Sequence, residues 1–144
     1  MKKFKIYLLL LLIPLLAFSD LNIEKVNGVL SSIKSDKKAL TYYTADKSFM
    51  NKLKVPKTNS SKKADVLLFP KNKKVKKVII VNSYSELKHN KKSIGAIYVK
   101  KGRTQIIFVS ERLKAKGLKL PSKYNKYLIK ESYLCPLCLL NLTK

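Results

Sequence analysis

Two short apolar runs, Ala64-Asp65-Val66-Leu67-Leu68-Phe69 and Val78-Ile79-Ile80-Val81, stand on either side of Pro70 and the stretch Lys71-Asn72-Lys73-Lys74-Val75-Lys76-Lys77. A strand with one wet face alternates apolar and polar residues, whereas these runs are apolar at nearly every position. Both faces of each must therefore be covered, which is the situation of a mostly parallel sheet inside an α/β domain. The lysines between the runs cannot be buried, so this loop must project from one end of the sheet.

Around the two runs the periodicity changes often. Val26, Val29, Leu30 and Ile33 fall at helical spacing, with Gly28 inside the pattern. Ala39-Leu40-Thr41-Tyr42-Tyr43-Thr44 predicts a strand, and Asp46 is placed to cap a short helix carrying Phe49, Met50 and Leu53 that Pro56 ends. Residues 57–63 form a polar loop. After the second run, Ser83-Tyr84-Ser85-Glu86 predicts a capping box and a helix over 84–88. Ile94-Gly95-Ala96-Ile97-Tyr98-Val99 and Thr104-Gln105-Ile106-Ile107-Phe108-Val109, joined by Lys100-Lys101-Gly102-Arg103, predict a β-hairpin. Ser110 is expected to cap a helix over 111–116, and Gly117 to close it in a left-handed C-cap. The fold class expected is α/β: a small three-layer sandwich with a mostly parallel central sheet and a C-terminal β-hairpin plus helix. At 144 residues, one small domain is the ceiling.

The N-terminus reads differently. Met1-Lys2-Lys3-Phe4-Lys5 is basic, residues 6–17 are leucine-rich and apolar, and Ala17-Phe18-Ser19 puts small residues at the −3 and −1 positions of a signal-peptidase site. The apolar run is shorter than the ~20 residues a permanent membrane helix needs. The expected organisation is a signal peptide over 1–19, cleaved after Ser19, a single α/β domain over 20–131, and an apolar tail over 132–144.

Export decides how the cysteines are read. Cys135 and Cys138 are the only two and are spaced C-x-x-C. In an oxidising compartment they can close on each other, pair between molecules or be held reduced. Thioredoxin-like motifs open a helix after the first strand, whereas only six residues follow Cys138. A disulfide or structural role is the reading preferred over thiol-redox chemistry. A zinc site lacks two further ligands, since His89 is the sole histidine.

Lys+Arg number 32 against eight Asp+Glu, a formal net charge of +24. A field of that sign concentrates anions. Only Arg103 and Arg112 are arginines, and lysine lacks the fork that reads phosphate bidentately, so a lysine-biased composition explains the charge as well as an anion-binding role does. If the charge is functional, Lys71, Lys73, Lys74, Lys76 and Lys77 are the candidate anion-binding patch.

The search for catalytic patterns is negative: there is no Gly-x-Ser-x-Gly, His-Glu-x-x-His or glycine-rich phosphate loop. The acids are scattered singly, and Asp65, the one acid in an apolar run, is read as a strand-end residue bonded to a loop. His89 sits at a lysine-rich helix end, the place of an exposed imidazole. Tyr124 and Tyr127, three apart after Pro121, are expected to dock a helix on the sheet, which disfavours specific nucleic-acid binding through stacked tyrosines. No enzyme activity, cofactor or metal is expected.

The segments Ala64-Asp65-Val66-Leu67-Leu68, Val78-Ile79-Ile80-Val81, Ile94-Gly95-Ala96-Ile97, the turn at Gly102, Ile106-Ile107-Phe108 and Lys116-Gly117-Leu118-Lys119-Leu120 together resemble the YfiR-like family of periplasmic proteins, over roughly residues 64–129. The resemblance implies a non-enzymatic periplasmic regulatory protein that restrains, or senses for, an inner-membrane signalling protein through that protein's periplasmic domain. The family's long opening helix is shortened or missing here, its disulfide cysteines do not correspond to Cys135 and Cys138, and no binding residue is carried over. The alternative expectation is a basic envelope protein that binds polyanions through its lysine-rich loops.

Overall fold

The computed structural model of the chain describes residues 20–134. Its centre is a six-stranded sheet of β2 (Tyr42–Tyr43), β3 (Val66–Leu68), β4 (Val78–Val81), β5 (Ser93–Lys100), β6 (Arg103–Val109) and β8 (Leu128–Ile129), in that spatial order. Strands β2 to β5 run parallel, β6 returns antiparallel to β5 as the expected hairpin, and β8 runs parallel to β6. A separate antiparallel pair joins β1 (Lys34–Ser35) to β7 (Leu118–Lys119).

Both faces are covered, as the apolar runs require. On the front, α1 (Ile23–Leu30) and α2 (Lys47–Lys52) bring Val26, Leu30, Phe49 and Met50 onto Val66, Leu68 and Ile80. On the back, α3 (Tyr84–His89) sends Leu87 against Ile79, Val81 and Ala96, and Leu134 is buried in the same cluster. Ile79, Ile80 and Val81 are fully buried although they alternate between the two clusters, which is why β4 carries no polar position. A fourth helix, α4 (Ser110–Ala115), follows β6. The molecule is the expected three-layer α/β sandwich with a mostly parallel sheet.

Several local expectations change. Only Tyr42 and Tyr43 of the predicted strand join the ladder, because the backbone N–H of Thr41 turns to the Asp65 carboxylate at 2.9 Å. The capping box at Ser83 is half formed: its hydroxyl accepts from the Glu86 N–H at 3.1 Å, but the Glu86 carboxylate pairs with Lys73 instead of reaching back. Ser110 is the first residue of α4 and does not cap it; its hydroxyl contacts Glu111 and the carbonyl of Ile129. The segment after Pro121 is a 3₁₀ helix (Ser122–Tyr127) that docks on α1, with Tyr124 Oη donating to the Gly28 carbonyl at 2.9 Å. Asp46 caps α2 as expected, and Gly117 adopts φ +66° after α4.

The join between the parallel and antiparallel halves rests on a bulge. Ile79 pairs with Ser93 and Ile80 with Gly95, so Ile94 has no partner on β4. The additional residue lets Ile94 and Ile97 both enter the front cluster although they are three apart in a strand. Gly95 then lies opposite Phe108, and a Cβ there would sit 2.5 Å from both the Phe108 ring and the Ile107 carbonyl oxygen. Gly28 differs, since a Cβ there meets only Tyr124 Oη at 3.5 Å. In urea unfolding, Gly95→Ala is expected to cost about 3 kcal/mol through overpacking, whereas Gly28→Ala should stabilise by about 0.5–1 kcal/mol from helix propensity. Equal effects at the two sites would contradict this account of the bulge.

Candidate functional site

Adjacent parallel strands are usually joined through a dozen or more residues that include a helix. Between β3 and β4, residues 69–77 make the crossing without one. The sequence explains this: the stretch 71–77 offers Val75 as its single apolar residue, so no helix formed there could bury a face. Val75 alone packs against the back cluster.

Phe69 shapes the start of the crossing. Its φ of +55° is rare for a bulky residue. Along β3, Val66 and Leu68 face the front, and Leu67, paired with the back-facing Ile79, faces the back. A regular continuation would place Phe69 on the back, two residues beyond Leu67. The left-handed turn instead sends its ring to the front, 5.3 Å from the Phe49 ring centroid, while its N–H donates to the Ile80 carbonyl at 2.8 Å. The back of the sheet beside Leu67 therefore lacks the side chain that would fill it, and a cleft of about 530 Å³ lies there. Leu67, Pro70 and Val75 give it apolar walls, Tyr43 and Ala45 line it from the end of β2, and Lys62, Lys71, Lys76 and Lys77 surround it. Among the described residues, no acidic side chain lines this cleft.

The structure divides the five predicted lysines. Lys71 and Lys76 are exposed at the cleft. Lys77 is half-buried, and its ammonium donates to the carbonyls of Lys62 and Ala64, fastening the loop to the chain before β3. Lys73 pairs with Glu86 of α3, and Lys74 lies beside it in a second, shallower depression that includes His89 and Lys92. Lys62 belongs to the cleft but was not singled out by sequence reasoning; it comes from the polar loop 57–63, and only the tertiary fold brings it to the loop 71–77. Cys135 and Cys138 lie outside the described residues, as does the expected signal peptide over 1–19.

Other candidates take structural places. Asp65 accepts from the Thr41 N–H and hydroxyl at 2.9 and 2.8 Å and pairs with Lys38 at 2.6 Å. Partial burial opposes its charge, but the Lys38 ammonium and the two Thr41 donors outweigh that and hold the carboxyl below its ordinary range. His89 is exposed, its Nδ1 2.7 Å from the Ser85 carbonyl oxygen of its own helix. Tyr124 and Tyr127 stack on each other with centroids 6.1 Å apart, and lysines lie over their rings. Among the described residues, no group of three or more His, Cys, Asp or Glu side chains is arranged to hold a metal.

Sequence reasoning missed Arg112. It is 8% exposed, and its Nη1 donates to the carbonyls of Leu87, Asn90 and Ser93 at 2.9, 3.0 and 2.8 Å. Nε and Nη2 grip the two carboxylate oxygens of Glu131 at 2.7 and 2.6 Å. A lysine could not make this set, because a bidentate fork and a third donor direction are needed at once. The available signal was its rarity: one of two arginines in a chain whose other strong bases are all lysine.

In comparisons with known proteins, no family model, no curated protein and no solved structure matches the chain.

Two measurements test these assignments. Arg112→Lys is expected to lower stability by about 3 kcal/mol, because it leaves buried carbonyls and Glu131 without their partner, whereas breaking the exposed Lys119–Asp36 pair with Lys119→Gln should cost under about 0.5 kcal/mol. The folded carboxyl of Asp65 is lowered, so its contribution is fully present above the unfolded value, at about pH 4, and is lost as pH falls through the folded value. Asp65→Asn should accordingly weaken the protein at neutral pH, and the gap to wild type should narrow as the solution is taken progressively below about pH 4. A gap unchanged across that range would refute the assignment.

Proposed function

We propose that the chain is an exported, non-enzymatic binding module that engages an anionic partner of the cell envelope through the loop 71–77 and the cleft beneath it. One observation carries this reading: the acids near the loop already have structural partners, while Lys71, Lys74 and Lys76 make no ion pair among the described residues. Cations left without internal partners around a concave surface concentrate anions from solution. The lysines are hydrated point charges, suited to a polyanion or an anionic surface more than to bidentate recognition of one phosphate.

A second reading follows from the resemblance to the YfiR-like family: a periplasmic regulator docked on the external domain of an inner-membrane signalling protein. It is favoured by a different face, where Tyr133 is 66% exposed beside Tyr84, whose hydroxyl donates to the Tyr133 carbonyl at 3.4 Å. Exposed aromatic side chains of this kind are enriched at protein interfaces.

Replacing Lys71, Lys74 and Lys76 together by Gln is expected to make the protein leave a heparin column at clearly lower salt. The melting temperature should move by less than about 2 °C, since exposed unpaired charges contribute little to stability. Unchanged elution would mean that the loop is only a solvated face. A stoichiometric membrane-protein partner that survives moderate salt and is lost on Tyr133→Ala would favour the regulatory reading instead.

A further inference from the structure

The cleft beside Leu67 has two unlike parts, and a polyanion would use only one of them. Its rim is cationic, with Lys62, Lys71 and Lys76 exposed, while Leu67, Pro70 and Val75 make its interior apolar. At about 530 Å³ it lies within the range of pockets that hold small molecules, roughly 300–1,000 Å³. Heparin-like chains carry charge at every unit and have nothing to place against Leu67 and Val75. A neutral apolar molecule would leave the rim without counter-charge.

The backbone gives an independent reason to read the space as built. Phe69 is the side chain that a regular β3 would direct to the back of the sheet, and its left-handed φ removes it to the Phe49 ring on the front. Such conformations cost free energy and persist where the surroundings hold them. Here the Phe69 N–H bond to Ile80 and the Phe49 contact hold the turn, and the Lys77 bonds to Lys62 and Ala64 fasten the loop to the chain before β3. The result is a concavity with apolar walls under a ring of positive charge, with Leu67, 4% exposed, at its floor.

We infer that this cleft binds a single-chain anionic amphiphile, its acyl chain against Leu67, Pro70 and Val75 and its acidic head among Lys62, Lys71 and Lys76. The inference rests on the proposed anion-binding function and names the chemical class that the same site takes. A fatty-acid carboxylate and the phosphate of a lysophospholipid share this chemistry. Lysine suits either, because the head is held by charge and not by a fork. The site is non-covalent, and no bond forms or breaks in it.

Laurate below its micelle-forming concentration is the probe, titrated calorimetrically into the protein, with a twelve-carbon lysophosphatidic acid as a second arm to distinguish a carboxylate from a phosphate head. Saturable one-to-one binding of at least one of the two is expected, and dodecanol and dodecyltrimethylammonium should bind at least about tenfold more weakly, the equivalent of one lost charge contact. Ala45 is exposed at the cleft, so Ala45→Trp should fill the space without entering the core. It should weaken amphiphile binding by about tenfold or more and leave heparin retention unchanged, whereas Lys71→Gln with Lys76→Gln should weaken both. Absence of saturable binding by either anionic probe, equal binding of dodecyltrimethylammonium, or an Ala45→Trp variant that binds like wild type would overturn the inference. If the lysine variants still lose heparin retention in that case, the anion-binding reading stands alone; if they do not, both fail.

Discussion

The Arg112 guanidinium is the contact on which the joining of the two halves depends. The parallel strands β2 to β5 and the antiparallel return through β6 meet at β5, and the end of α3 and the turn that leads into β5 present buried backbone carbonyls. Arg112 reaches back from α4 to those of Leu87, Asn90 and Ser93 and grips Glu131 just after β8. One side chain thus ties the end of α3, the start of β5 and the segment that carries Leu134 into the back cluster. Its charge is tolerable in a nearly dry place because every direction in which it points meets an oxygen, and none of the buried side-chain polar atoms among the described residues is left without a partner.

With that junction fixed, the weak part of the architecture lies on the other side of β4. The crossing from β3 is too short and too charged to form a helix, so the back of β3 is closed by a loop in which Val75 is the one apolar contribution. Tyr42 shows how firmly the front is held by comparison: its ring is buried and its hydroxyl donates to the Leu30 carbonyl at 2.8 Å, with burial and the nearby Asp65 charge both opposing its ionisation. A well-packed front and a loop-covered back put the cleft beside Leu67, with its apolar walls, directly beneath the lysines.

The pattern of apolar runs made the layers legible. Residues 64–69 and 78–81 announced double-sided burial, the spacing around Gly102 announced the hairpin, and Asp46, Ser83 and Gly117 marked helix ends, because each depends on local chemistry. What sequence could not supply were the partners chosen over distance. Glu86 looked committed to Ser83, yet Lys73, thirteen residues earlier, takes its carboxylate. Lys62 looked like a loop lysine and stands at the cleft with Lys71. The cleft itself depends on the φ of Phe69, and a phenylalanine before a proline gives no warning of a left-handed turn, since the restriction on that position favours extended backbone. Arg112 was legible only as an arginine among lysines; that it would be buried depended on three carbonyls from elements it does not adjoin in sequence.

The acids complete the electrostatic picture. Asp46 caps α2, Asp65 holds Lys38 and Thr41, Glu86 holds Lys73, Glu131 holds Arg112, Glu111 accepts from the Glu131 N–H, and Asp36 pairs with Lys119. A chain with only eight acids has committed most of them to holding its own backbone and bases in place. The surplus of positive charge consequently has little to balance it within the fold, and its mutual repulsion opposes the compact state. Whatever neutralises it must come from outside and will favour the folded state by mass action if it binds there preferentially. An anion that bound the folded chain would for that reason also stabilise it, most directly at residues 71–77, where the charge is densest.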